Sequence, residues 1–104
     1  MSINDTLSER GEKYGPFSNQ AKIVQELKRI VERDAGYRRL NDYQREALAV
    51  ILHKIGRIVN GDPNHVDNWH DIAGYATLVE QILTQQQSEH EKKPSLSDVV
   101  LPRF

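Results

Sequence analysis

Apolar residues recur at helical spacing in two stretches that meet at the turn sequence Asn-Gly-Asp-Pro, residues 60–63. Residues 46–59 place most of their apolar side chains on one arc of a helical wheel, at roughly 100° per residue. Residues 66–83 cover more than half of the wheel in the same way. Because Asn-Gly ends a helix and Asp-Pro favours a turn, the two helices are predicted to fold back as an antiparallel hairpin.

Charged residues interrupt both apolar arcs of this hairpin. Lys54 lies within the arc of the first helix, and Asp71 lies within the arc of the second. An unpaired ion on a buried face is costly, so each charge needs a partner. Reflection through the turn brings Lys54 level with Asp71 and Arg57 level with Asp67, with Tyr75 one helical turn beyond Asp71. We therefore predict a cross-helix network, which either fixes the register of the hairpin or lines a ligand site.

Two further helices precede the hairpin. A short first helix is predicted to be interrupted at Gly11. A long amphipathic helix follows, capped by Ser18 or Asn19 and ended by Gly36. These patterns add one short and one long helix to the two helices of the hairpin.

The start and end of the hairpin also carry local signals. Asn41 and Gln44 match a capping box, which opens the third helix. The sequence turns polar towards its end, so the last helix is expected to fray near Gln87. The predicted architecture is an all-α bundle of one short and three long helices in a single domain, residues 1–87. An irregular tail, residues 88–104, is expected to be flexible or to dock on the body.

Two glycines lie inside the predicted hairpin helices, at positions 56 and 74. A glycine in a helix interior costs about 1 kcal/mol relative to alanine. Close packing against another helix is the simplest reason for such a residue, and it is the expectation for both Gly56 and Gly74.

Composition narrows the classes of function. The chain of 104 residues has 14 Lys and Arg against 15 Asp and Glu, a net charge of −1, and no cysteine. This balance gives no electrostatic basis for general nucleic-acid binding. No apolar run reaches the ~20 residues of a membrane span, and the acidic N-terminus does not match a signal peptide. We therefore expect a cytoplasmic protein without a membrane partner.

Acidic side chains of the hairpin suggest a metal site as an alternative to the ion-pair network. Asp67 and Asp71 are four residues apart and share one face, and Glu46 on the opposing helix could complete a Mg²⁺ site. Lys54 and Arg57, however, face the same carboxylates and neutralise them without an ion. The salt-bridge network is therefore favoured over the metal site.

Two stretches of the chain resemble a known family. The first reads Glu9-Arg10-Gly11-x-x-Tyr14-Gly15-x-Phe17. The second, within residues 46–75, includes Lys54-Ile55-x-Arg57-Ile58 and Asp67-x-Trp69-x-Asp71-Ile72-x-Gly74-Tyr75. Over residues 7–83 they look like a family of small uncharacterised proteins of tailed phages and prophages. At greater distance they are similar to the MazG-like all-α NTP pyrophosphatases.

The resemblance carries its own expectations. The pyrophosphatase group holds Mg²⁺ with a Glu-x-x-Glu on one helix and a Glu-x-x-Asp on the next, and it cleaves nucleoside triphosphates between the α and β phosphates. Here the second helix lacks the glutamate pair, and Lys54 and Arg57 stand where acids are expected. The resemblance thus implies a nucleotide-related bundle in a bacterial host more readily than an active hydrolase.

The apolar surface of the last helix also predicts the oligomeric state. The apolar arc of the last helix leaves more hydrophobic surface than one neighbouring helix covers. A homo-oligomer, most simply a dimer built on the hairpin helices as in the pyrophosphatase group, is therefore expected.

Three functions stay open at this point. The first is binding of a nucleotide or another phosphate-bearing metabolite, in which cations meet phosphate, acids orient the cations or a Mg²⁺ ion, and an aromatic ring stacks. The second is Mg-dependent NTP pyrophosphohydrolase activity. The third is a non-enzymatic interaction with a host protein. The candidate ligand-binding residues are Lys54, Arg57, Asp67, Asp71, Tyr75, Tyr14 and Trp69, and the candidate metal ligands are Asp67, Asp71 and Glu46.

Overall fold

Residues 2–92, the part of the chain that the structure describes, form four α-helices joined by short connections. A 3₁₀ turn, Ala35–Arg39, links the second helix to the third. The helices in chain order are α1, Ile3–Tyr14, α2, Phe17–Arg33, α3, Asp42–Asn60, and α4, Val66–Lys92. The predicted all-α architecture of one short and three long helices is confirmed.

A computed structural model describes residues 2–92, and describes side chains for residues 2–90. Within that range α4 continues to Lys92 and does not fray near Gln87 as the polar sequence suggested. Glutamine and glutamate are good helix formers, and Gln85 Nε2 donates to Glu89 Oε1 one turn later at 3.2 Å. The rest of the predicted tail lies outside the described residues.

The first helix passes through the glycine that was expected to interrupt it. Ser2 and Asp5 form a capping box, in which the Asp5 amide donates to Ser2 Oγ at 3.2 Å. From this start α1 runs through Gly11 to Tyr14. It ends at Gly15, whose φ of 78° is unfavourable for residues with a side chain. One interior glycine therefore weakens α1 without breaking it.

The hairpin of α3 and α4 is present as predicted. The Gln44 amide donates to Asn41 Oδ1 at 3.1 Å, and the Asn41 amide donates to Gln44 Oε1 at 3.0 Å, which completes the capping box of α3. At the open end of the hairpin, the Tyr43 hydroxyl donates to Gln86 Oε1 at 3.4 Å. This bond and the closing turn fix the register of the two helices from opposite ends.

The close packing expected at both helical glycines occurs at only one of them. A Cβ at Gly56 would overlap Cγ2 of Val24, so α2 approaches α3 because position 56 has no side chain. A Cβ at Gly74 would have nothing within 4 Å in the described residues. The prediction is confirmed for Gly56 and wrong for Gly74.

The side chain of Asn60, the last residue of α3, binds the α1–α2 turn and the start of α2. Asn60 Nδ2 donates to the carbonyl oxygens of Tyr14, at 2.9 Å, and Pro16, at 2.8 Å. Asn60 Oδ1 accepts a bond of 2.6 Å from Asn19 Nδ2. These three bonds place the ring of Tyr14 beside Arg57, which lies one turn earlier in α3.

The hydrophobic core of the single chain is thin. Among the described side chains, the apolar ones that are buried are those of Val24 and Ala47. No helix within residues 2–92 is both long and apolar enough to cross a membrane. The large apolar side chains that face solvent are Ile3, Leu7, Phe17, Ile30, Leu48, Val59, Val66, Trp69, Leu78 and Ile82.

Candidate ligand pockets along α3

Two cavities lie along one side of α3 and share His53. The first, of about 330 Å³, lies between α3 and α4 and includes Lys54, Asp71 and Tyr75; we call it the Lys–Asp pocket. The second, of about 570 Å³, lies between α3 and the α1–α2 turn. We call it the arginine pocket, and it includes Arg10, Tyr14, Phe17, Gln20, His53 and Arg57.

His53 forms the boundary between the two pockets and is held in place from α2. Its Nε2 lies 3.3 Å from Nε2 of Gln20, whose side chain is buried. Burial lowers the pKa of His53, and the nearby charges of Arg57 and Lys54 lower it further. A neutral ring with an unprotonated Nε2 accepts the amide N–H of Gln20, which fits this direction. His53 therefore contributes a polar edge and no charge at neutral pH.

Arg57 is the main cation of the arginine pocket. Its guanidinium carbon lies 4.2 Å from the centre of the Tyr14 ring, a cation–π contact, and His65 meets the same ring edge-on at 5.7 Å between centroids. The Nε of Arg57 is buried and has no hydrogen-bond partner among the described residues. Buried donors are nearly always satisfied, so this N–H is an exception, and Arg57 shares it with Arg45.

The contact predicted between Lys54 and Asp71 is present. Lys54 Nζ lies 2.9 Å from Asp71 Oδ2, with the lysine side chain 14% exposed and the aspartate side chain 41% exposed. The hydrogen bond from Lys54 lowers the pKa of Asp71, partly opposed by desolvation. Asp71 is therefore ionised at neutral pH and open to solvent. The pair therefore joins a largely buried lysine of α3 to an aspartate of α4 that faces the pocket.

The other half of the predicted network does not form. Asp67 is 80% exposed and pairs with His65, Oδ2 to Nε2 at 3.6 Å, which is too long for a hydrogen bond. No ion pair within 4 Å joins Arg57 to an acid in the described part of the chain. The prediction failed because Arg57 turns towards Tyr14, and reflection through the hairpin turn takes no account of a third element.

The three aromatic residues predicted to bind a ligand lie in different parts of the structure. Tyr14 lines the arginine pocket, and Tyr75 lines the Lys–Asp pocket beside Asp71. Trp69 lines neither pocket, and its indole Nε1 donates to the carbonyl oxygen of Pro63 at 2.8 Å. The tryptophan therefore braces the turn before α4 and offers no stacking face to a ligand in either pocket.

The three candidate metal ligands do not converge. Glu46 precedes Lys54 by about two turns, or about 12 Å along α3, and is exposed. Asp71 is engaged by Lys54, and Asp67 points to His65. Within the described residues no group of three or more His, Asp or Glu side chains could hold a metal ion. Glu46, Asp67 and Asp71 therefore do not build a Mg²⁺ site of their own.

Several pocket residues were not among the sequence candidates, namely Arg10, Phe17, Gln20 and His53. One local signal existed for the histidine, because His53 and Arg57 are four residues apart and share a face of α3. No local signal places α1 and α2 against that face. The wall of the arginine pocket could therefore be found only from the tertiary structure.

Comparison with known families assigns most of the chain. Residues 3–83 match the family described as "Domain of unknown function (DUF6378)". The match covers α1 to α3 and most of α4, including every residue that lines the two pockets. No curated protein and no solved structure matches the chain.

Proposed function

This chain belongs to the family described as domain of unknown function DUF6378, and we propose that it binds a nucleotide or another phosphate-bearing metabolite along α3. The observation that carries the proposal is the arginine pocket. It places the side chains of Arg10 and Arg57 around a cavity of about 570 Å³, together with the rings of Tyr14 and Phe17. The guanidinium fork matches phosphate oxygens, which accept two parallel hydrogen bonds.

The remaining lining suits the rest of such a ligand. Small-molecule sites are mostly apolar and aromatic, with a few fixed polar groups, and range from about 300 to 1,000 Å³. Phe17 lines the arginine pocket and is 74% exposed in the single chain, so its ring face is free to contact a ligand. Tyr75 lies in the adjoining Lys–Asp pocket. A ligand with one phosphate end and one planar end fits this arrangement.

Binding is proposed ahead of hydrolysis. A Mg-dependent pyrophosphohydrolase needs several acids on one metal, and the described residues provide no such group. The ion pair with Lys54 also neutralises the charge of Asp71, which makes this carboxylate a poor metal ligand. The proposal includes a cytoplasmic location in a bacterial host, in line with the resemblance to phage and prophage proteins.

Calorimetric titration with nucleoside mono-, di- and triphosphates, with and without Mg²⁺, tests the proposal. We expect saturable binding, one ligand per chain, with a dissociation constant below about 1 mM, which corresponds to about 4 kcal/mol. Affinity should fall with added salt, because the contacts are charged. Inorganic phosphate and the free nucleosides serve as controls, each supplying half of the ligand. If no nucleotide saturates the protein, the proposal fails.

We also propose that the protein is a homodimer joined along the outer face of α4. Leu78 and Ile82 are four residues apart on this helix and both are exposed in the single chain. The thin core of the chain makes further apolar burial favourable, and stable interfaces bury about 800 Å² per partner. A second copy covers this face with the same residues, as a two-fold axis requires.

Charge introduced on this face should separate the dimer. We expect the Leu78→Lys, Ile82→Lys double variant to be monomeric, because each lysine would need to be desolvated at the interface. Light scattering after size-exclusion chromatography at tens of micromolar measures the mass. Gln81→Lys, which adds one lysine to an exposed polar position of α4, is the control and should stay dimeric. A wild-type protein with the mass of one chain would contradict the proposal.

A further inference from the structure

The Lys–Asp pocket holds a donor and an acceptor side by side that phosphate binding does not use. Lys54 Nζ offers N–H groups, and the carboxylate of Asp71 offers two oxygens, of which Oδ2 lies 2.9 Å from Nζ. Tyr75 lines the same cavity, and Ala49 and Val50 give it an apolar floor. A flat, polar-edged group with an apolar face fits such a lining.

We propose that this pocket reads the base of the bound nucleotide and selects guanine. The inference rests on the proposed function and names its ligand class. Guanine presents the acceptor O6, the donor N1–H and the donor N2–H₂ in a row along one edge. Lys54 donates to O6, and the two oxygens of Asp71 accept from N1–H and N2–H₂. Nζ and Oδ2 lie 2.9 Å apart, so a donor and an acceptor stand next to each other, as O6 and N1–H of guanine require.

The other bases match this row less well. Adenine places the lone pair of N1 where guanine has N1–H, so it would face the carboxylate of Asp71 with an acceptor. Hypoxanthine keeps O6 and N1–H but has no amino group at position 2, so it loses one hydrogen bond. Cytosine and uracil lack two adjacent donors. Because Asp71 stays ionised at neutral pH, its oxygens act only as acceptors and enforce this order.

The two pockets adjoin, so one ligand molecule can occupy both of them. His53 lines the Lys–Asp pocket and the arginine pocket, so the cavities adjoin at that residue. Lys54 and Arg57 are three residues apart on α3, about 4.5 Å along its axis. In the proposed pose the base lies at Lys54 and Asp71, and the phosphate extends past the neutral His53 ring into the arginine pocket, which contains Arg57.

A panel of nucleoside monophosphates tests the selection on the unmodified protein. Calorimetry at one ionic strength compares GMP, IMP, AMP, CMP and UMP. We expect GMP to bind tightest, IMP about 10-fold more weakly and AMP about 100-fold more weakly, since a hydrogen bond to a charged group is worth about 10-fold or more. Equal affinity for all five would overturn the guanine inference and leave the proposed function standing. Binding of none would remove both.

The substitution Asp71→Asn tests whether Asp71 recognises the base. The asparagine amide has one acceptor and one donor group. We therefore expect the variant protein to lose the preference for GMP over AMP. It should instead favour xanthosine monophosphate, which has an acceptor at position 2. Glu80→Gln removes the same charge from an exposed position of α4 and should keep the wild-type order. Circular dichroism checks that both variants are folded. An unchanged GMP preference in Asp71→Asn would overturn the assignment.

Discussion

Replacing Gly56 by alanine is expected to lower the free energy of unfolding by about 1–3 kcal/mol, the usual cost of overpacking. The new Cβ would overlap Cγ2 of Val24 and would lie 3.6 Å from Cγ of Gln20. Because α2 must then move away from α3, the contact of Gln20 with His53 should be strained as well. Urea denaturation followed by circular dichroism measures the change.

Gly74→Ala is the matched control for this substitution. It is the same change in the interior of the other hairpin helix, but its Cβ meets nothing within 4 Å in the described residues. We expect it to raise the free energy of unfolding by up to about 1 kcal/mol through helix propensity alone. Opposite signs at the two positions would confirm the close packing of α2 on α3. A gain of stability at both would contradict it.

Replacing Arg57 by alanine is expected to weaken nucleotide binding by about 100-fold or more. Two charge-assisted hydrogen bonds to a phosphate contribute about 1.5–3 kcal/mol each, and the substitution removes both. The titration is that used for the wild-type protein, with the best-bound nucleotide.

Arg45 provides the control, because it also stacks on a tyrosine ring but lines neither of the two pockets. It lies on the same helix, its guanidinium carbon is 4.6 Å from the centre of the Tyr37 ring, and its Nε is also buried without a partner in the described residues. Arg45→Ala should therefore destabilise the fold about as much as Arg57→Ala and leave nucleotide affinity unchanged. Equal loss of affinity in both variants would show that the arginine pocket is not the site.

Signals between residues close in the sequence were sufficient to predict the helical hairpin. Helical spacing of apolar residues, the capping box of Asn41 and Gln44, and the turn at residues 60–63 all act within a few residues of one another. Once the turn is known, the geometry of an antiparallel pair places Lys54 opposite Asp71. That contact was predictable because both residues belong to helices joined by one short turn.

The α1–α2 turn shows what the sequence alone did not determine. Its position depends on Asn60, which bonds to the carbonyl of Tyr14 across 46 residues of sequence. No local pattern records a bond of this kind, since an asparagine at a helix end reads as a cap or a turn residue. The bond brings Tyr14 to Arg57 and so forms the arginine pocket.

Gly56 and Gly74 have the same sequence signal but different packing in the structure. Each is a single glycine inside a helix of the hairpin, and the sequence predicts close packing for both. Only the tertiary structure separates them, because α2 packs on the side of α3 that carries Gly56, and no described element packs against Gly74. Helix periodicity states which residues share a face of one helix. Which other helix covers that face is decided by packing over the whole chain.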